Sequence, residues 1–235
     1  MAMLNIGNPK IIGIAFLIGI IPSLLWLWFW LREDRKNPEP KGLLAMVFFL
    51  GMASVLLVLP VQKVVQGFSL PHGWELVAWA GVEELIKFLM VLFIVSNTSQ
   101  ADEPTDWPIY LITVALGFAA LENTLFLIKP ISLGQTAVGL LTGHLRFLGS
   151  TLLHTVSSGV IGVSMGLSFF MDGRRKFLYT IVGIILAIGL HSAFNFFIMK
   201  NGGADFLKVF SFLWVGAIII FLLFEKLRRM DLNNN

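Results

Sequence analysis

The chain contains no cysteine in its 235 residues. Disulfides, a thiol nucleophile and a thiolate metal centre are therefore excluded. Charge is also scarce: Asp, Glu, Lys and Arg make up 13% of the residues, about half the share of an ordinary soluble domain. No aspartate falls within the long apolar runs, so those runs cannot complete a Ser–His–Asp triad. Low-complexity tracts and a solenoid-type repeat are absent too. The net charge of +3 suits loops that face anionic lipid and not nucleic-acid binding.

What the chain has in quantity is apolar sequence: 57% of residues are hydrophobic and the mean hydropathy is +0.83. A span needs about 20 apolar residues, and seven stretches qualify. They run over Ile11–Leu31, Gly42–Val65, Trp74–Val95, Pro108–Ile128, Leu145–Met171, Phe177–Met199 and Phe206–Phe224. The first is too long for a signal-peptide core and lacks a basic leader, so it reads as a retained span. It ends in Trp26, Trp28 and Trp30, an interfacial aromatic group. Pro60 should kink or shorten the second span. Asp106 can cap the fourth, with Pro108 in its first turn. Ile131–Gly143 is apolar but short and reads as interfacial or re-entrant. Asn97-Thr98-Ser99 matches a glycosylation sequon, a pattern too short to weigh.

The expected fold is an all-α, polytopic helical bundle of about seven spans. It forms one membrane domain over residues 1–235, with its motif-bearing core over about 74–199. Basic residues set the orientation. Arg32, Arg35, Lys36 and Lys41, then Arg174, Arg175 and Lys176, then Lys226, Arg228 and Arg229 share one side if the N-terminus is outside and the C-terminus cytoplasmic.

The segment EELIK, Glu83–Lys87, is hard to explain as packing. A charged residue at a helix centre costs roughly 2.5–3.5 kcal/mol on insertion, whereas Leu, Ile, Phe or Val returns about 0.3–0.6 kcal/mol. The segment inserts only if its charges are paired, protonated or wetted. Lys87 is three residues from Glu84 and four from Glu83, so either carboxylate can reach it and the other is left free. A bridge that only fixes packing needs one carboxylate, not two.

Three further spans carry polar groups. Phe118 and Glu122 share a face with Ala115 and Ala119 beside it, and Asn123 points elsewhere. His154, Ser158, Gly162 and Gly166 form one stripe, as do Gly183, Ala187, His191 and Asn195. Arg146 is either a snorkelling anchor or part of a site. His72 and His144 lie near span ends and should face water. If the inner groups converge, they can hold and deprotonate a water and donate to an oxyanion. No cofactor is predicted. Zinc is compatible with the ligand types, and any metal would fall to Glu83, Glu122, His154 and His191, although HExxH spacing is missing.

These residues resemble the PrsW family of intramembrane proteases, within the wider group of CAAX-prenyl proteases and bacteriocin-processing enzymes. The patterns EExxK, FxxxE and two histidine motifs read here as EELIK (83–87), FAALE (118–122), HTVSSGVIGVSMG (154–166) and HSAFN (191–195). The resemblance implies hydrolysis of a peptide bond in a membrane protein or peptide, in or near the bilayer. It implies Glu83 or Glu84 as water activator, aided by Glu122, with His154 completing the site. His191 and Asn195 match an HxxxN motif that supports the oxyanion. PrsW-like sequences more often carry Asp at position 195, and an Asn there can only hydrogen-bond. Lys87, Phe118, Asn123 and Arg146 would be supporting residues. Metal-dependent and glutamate-dependent chemistry both remain open. Two rivals stand beside the protease: a membrane protein with haem or metal ligated by His154 and His191, and a proton-coupled transporter. The haem reading leaves EELIK and Glu122 unexplained.

Overall fold

A computed structural model describes residues 8–33, 37–135, 149–199 and 206–232. The described residues form seven helices and no strand: α1 (Pro9–Glu33), α2 (Lys41–Gly67), α3 (His72–Val95), α4 (Asp106–Ser132), α5 (Ser150–Leu167), α6 (Gly173–Met199) and α7 (Phe206–Leu232). Each expected apolar stretch contains one of them, because backbone polar groups in lipid must be satisfied within the helix. Five are long and apolar enough to cross a membrane: α1, α2, α4, α6 and, over Leu207–Met230, α7.

The remaining two explain themselves. α3 carries Glu83, Glu84 and Lys87 in its middle. α5 has 18 residues, rich in Ser and Thr, and reaches about 27 Å against a hydrocarbon core of about 30 Å. Both turn their polar side chains inward. Residues Thr151–Gly159 of α5 are all buried, and so are Glu83, Glu84 and Lys87 of α3. The outer surface is apolar instead: Leu17, Phe49, Phe93 and Ile185 are each more than half exposed, as lipid-facing residues should be.

α2 runs through Pro60 to Gly67, close to the expected end at Val65. One expectation about a helix start is corrected. Asp106 is the first helical residue and not the cap. Its carboxylate accepts from the backbone N–H of Glu103, just upstream, while Pro108 does lie in the first turn. His72 is exposed at the start of α3. His144, Arg146 and most of Ile131–Gly143 lie outside the described residues.

α4 is the central helix. In its most apolar stretch 72% of residues are buried, against 17% for α1. It packs on α1, α2, α3 and α5, and α5 packs in turn on α6 and α7. Small residues let these backbones approach closely. A Cβ on Gly51 of α2 would strike the Val114 carbonyl, and one on Gly117 of α4 would strike the Phe48 carbonyl. Gly162 and Gly166 of α5 seat in the same way against Pro108 and Pro104 at the start of α4. At that end Tyr110 donates to Glu39 in the α1–α2 link, and burial pushes the Glu39 carboxyl above its ordinary 4.5.

These contacts fix two ends. Arg32, Arg175 and Arg229 lie at the end where α4 begins. At the other end α2, α4 and α6 finish and α3 and α5 start. Gly117→Ala should lower stability by about 1–3 kcal/mol, because a carbonyl cannot give way as a side chain does. Gly13→Ala, with open space at that position, should not destabilise. Thermal unfolding in detergent micelles separates the two.

Candidate active site

Glu84 is the anchor of the buried polar cluster. It is fully buried, and each of its oxygens is engaged. Oε1 accepts from Lys87 Nζ at 2.6 Å and meets His191 Nδ1 at 2.8 Å. Oε2 accepts from Ser158 Oγ at 2.7 Å. α3, α5 and α6 are therefore tied through one carboxylate. Lys87, also fully buried, meets His154 Nδ1 at 3.3 Å and lies 4.9 Å from the centre of the Phe118 ring. Burying two charges is costly unless they are paired and hydrogen-bonded, and this cluster supplies both conditions.

The hydrogen bonds assign the tautomers. A carboxylate only accepts, so His191 Nδ1 carries a proton and donates to Glu84. An ammonium only donates, so His154 Nδ1 accepts, and His154 Nε2–H donates to Glu122 Oε2 at 3.2 Å. Ser150 Oγ donates to that same Glu122 oxygen at 3.2 Å. Asn123 lies apart from the cluster: its Nδ2 donates to Thr151 Oγ1 at 2.9 Å and binds α4 to α5.

Glu83 differs from its neighbour. Its Oε1 accepts from Gln62 Nε2 of α2 at 2.8 Å. Its Oε2 is buried without a hydrogen-bond partner, 3.6 Å from His191 Nε2. The i,i+4 pairing with Lys87 that the spacing allows is not formed; Lys87 goes to Glu84. Glu83, Glu122, His154, His191 and Asn195 all line one cavity of about 760 Å³, and Phe118 forms part of its wall. Glu84 and Lys87 stand behind it. The cavity is of ligand-binding size, and its walls are mainly apolar, with Val55, Val58, Leu59, Phe194 and Ile198 among them.

One donor atom each from Glu83, His154 and His191 lies within 4.8 Å of the others. Two imidazoles and a carboxylate are a normal zinc set, whose tetrahedral ligands sit about 3.4 Å apart. The 3.6 Å between Glu83 Oε2 and His191 Nε2 suits that arrangement. Glu83 Oε2 and His191 Nε2 face each other there without a hydrogen bond, an arrangement that a cation or a water would complete. His154 joins only by releasing Glu122. Glu122, expected as a fourth ligand, serves here as the partner of His154. The residues thus fit zinc. Haem fits poorly: the His154 and His191 rings lie 5.1 Å apart, edge to face, with no slot for a macrocycle between them.

Sequence reasoning missed three contributors. Gln62 carries no signal in the sequence beyond its place near a helix end. Ser158 falls on the small-residue stripe, and its place one turn after His154 is the available signal. Ser150 lay inside a longer expected span.

A family model described as "PrsW family intramembrane metalloprotease" matches residues 39–224. Among curated proteins, the chain is 26% identical over 186 residues to Protease PrsW of Geobacillus kaustophilus (strain HTA426), covering 78% of this chain and 79% of that protein. It is 25% identical over 201 residues to Protease PrsW of Bacillus subtilis (strain 168), covering 83% and 88%. It is 28% identical over 211 residues to Protease PrsW of Shouchella clausii (strain KSM-K16), covering 86% and 93%. No solved structure matches.

Lys87→Met should cost about 3–5 kcal/mol, because it leaves the Glu84 carboxylate buried and unpaired. Adding Glu84→Gln should return part of that loss. Unfolding midpoints of the single and double variants in detergent measure the coupling.

Proposed function

This chain belongs to the PrsW family and is a multi-pass membrane protein and an intramembrane peptidase; on that premise we propose that Glu83 activates the hydrolytic water. The observation that carries this reading is the contrast between adjacent glutamates. Glu84 is held by three partners behind the cavity, whereas Glu83 lines it with one oxygen unpartnered.

In this reading Gln62 fixes the Glu83 carboxylate through Oε1, which leaves Oε2 to take a proton from water. The water oxygen bonds to the scissile carbonyl carbon, and the carbonyl oxygen gains negative charge. Asn195, one turn beyond His191, donates its amide N–H to that oxygen. The Nδ1–H of His191 is already committed to Glu84. When the C–N bond breaks, the leaving nitrogen takes a proton from Glu83, or through Glu122 backed by His154 and Ser150. Lys87 keeps Glu84 ionised and His154 in one tautomer; its role is positioning.

Glu83 Oε2, His191 and His154 would alternatively hold a zinc ion, which when bound would supply Lewis-acid polarisation and a more acidic water; Glu83 would then be a ligand, and the base would be Glu122, released by His154. The metalloprotease description of the family and the buried donor triad support this part of the reading.

The basic residues at one end of the bundle support the orientation with the N-terminus outside. With Arg32, Arg175 and Arg229 cytoplasmic, the end where α3 and α5 start faces outward. The cavity is lined by Leu76, Leu125, Ser150 and Met199, residues of that end, so the substrate approaches from the outer half of the bilayer. The rival transporter reading draws no support from the family match.

Glu83→Gln should abolish cleavage of a single-span test substrate while the protein still folds, since the amide keeps the shape and loses the base. Wild-type turnover by that variant rejects the assignment. Purified wild-type protein should carry zinc near one ion per chain, lost in His191→Ala and on chelation together with activity. Fully active, metal-free protein would leave water activation to Glu83 alone.

A further inference from the structure

Among the described residues, five buried side-chain atoms lack a hydrogen-bond partner: Ser23 Oγ, Trp30 Nε1, Trp79 Nε1, Glu83 Oε2 and Ser157 Oγ. Two of these five belong to residues lining the same cavity, Trp79 and Glu83. They are four residues apart on α3 and so lie one turn apart on one face. Glu83 Oε2 is an acceptor that the proposed reaction uses. Trp79 Nε1–H can only donate, and nothing in the mechanism above employs it.

A buried donor without an acceptor is unfavourable, and native structures rarely keep one without a reason. An indole could be replaced by a phenyl ring at no polar cost if packing were its only task. The indole lines the cavity, so what enters there can bring the acceptor that would satisfy it. In a peptide the obvious acceptor is a backbone carbonyl. A helical segment has its carbonyls bonded internally, whereas an extended segment presents them.

We propose that the indole N–H of Trp79 is a substrate-backbone anchor, donating to a carbonyl of an extended apolar segment one helical turn from Glu83. The inference rests on the peptidase reading and adds to it a residue and a substrate shape. Trp79 binds a flanking carbonyl, and Glu83 directs water at the scissile one. The cavity walls favour the same substrate. Leu76, Val58, Leu59 and Ile198 offer apolar contact, and the carboxylates of Glu83 and Glu122 disfavour acidic side chains beside the cut.

The test uses the full-length protein in detergent with a leucine-rich decapeptide as probe. Trp79→Phe should raise KM roughly five-fold, the scale of one neutral hydrogen bond, with kcat within about two-fold. Replacing Trp79 by β-(3-benzothienyl)alanine, which keeps the fused ring and removes only the N–H, should give the same KM. A wild-type KM in either variant overturns the proposal. The second readout does not need turnover. In the Glu83→Gln protein, the indole N–H resonance of Trp79, identified by its loss in Trp79→Phe, should move downfield as the peptide is added. A peptide that saturates the protein without moving that resonance overturns the anchor. A wild-type protein that shifts the resonance yet cleaves nothing retains the anchor and removes the peptidase reading instead.

Discussion

The ion pair between Glu84 and Lys87 is the constraint on which the other parts of the site depend. Both side chains are fully buried, and their charged atoms meet at 2.6 Å. In a bilayer neither charge is tolerable alone. Together they still lose hydration, and the loss is offset by further bonds: Ser158 and His191 to the carboxylate, His154 and the Phe118 ring to the ammonium. Those partners come from α4, α5 and α6. One pair on α3 thereby dictates how three other helices must sit around it.

The pair also separates the roles of two adjacent glutamates. Consecutive residues on a helix point about 100° apart, so Glu83 and Glu84 cannot share an environment. Glu84 is drawn inward by Lys87 and saturated. Glu83 is turned toward α2, where Gln62 takes one oxygen, and the other stays beside His191 on the cavity wall. The tautomer of each histidine follows from the same pair: His191 gives its N–H to Glu84, and His154 offers its Nδ1 lone pair to Lys87. A single buried salt bridge thus decides which carboxylate and which imidazole nitrogens remain for chemistry.

Backbone proximity supplies the rigidity such a site requires. Gly51 and Gly117 bring α2 against α4, and Gly162 and Gly166 bring α5 against the start of α4. α4 is consequently the scaffold, and Phe118 and Glu122 project from it beneath His154. The cavity forms at the opposite end from those α5 glycines. There large side chains such as Trp79, Phe126 and Phe194 hold the helices apart.

The sequence alone determined the helices and the candidates. Apolar runs of span length admit little besides helix, so each expected stretch holds a helix, with ends off by a few residues, as where Asp106 is the first helical residue and not the cap. Glu83, Glu84, Lys87, Glu122, His154 and His191 stood out because lipid rejects them, a property of composition that needs no fold. Tertiary structure decided the pairing. Spacing let Lys87 reach either glutamate, and only Ser158 from α5 and His191 from α6 made Glu84 the partner. Gln62 and Trp79 were illegible beforehand, since a lone amide or indole in a span gains meaning only from what another helix places opposite it. The physical reason is range: hydrophobicity and helical period act within about one turn, whereas a buried polar atom is satisfied by residues more than a hundred positions away.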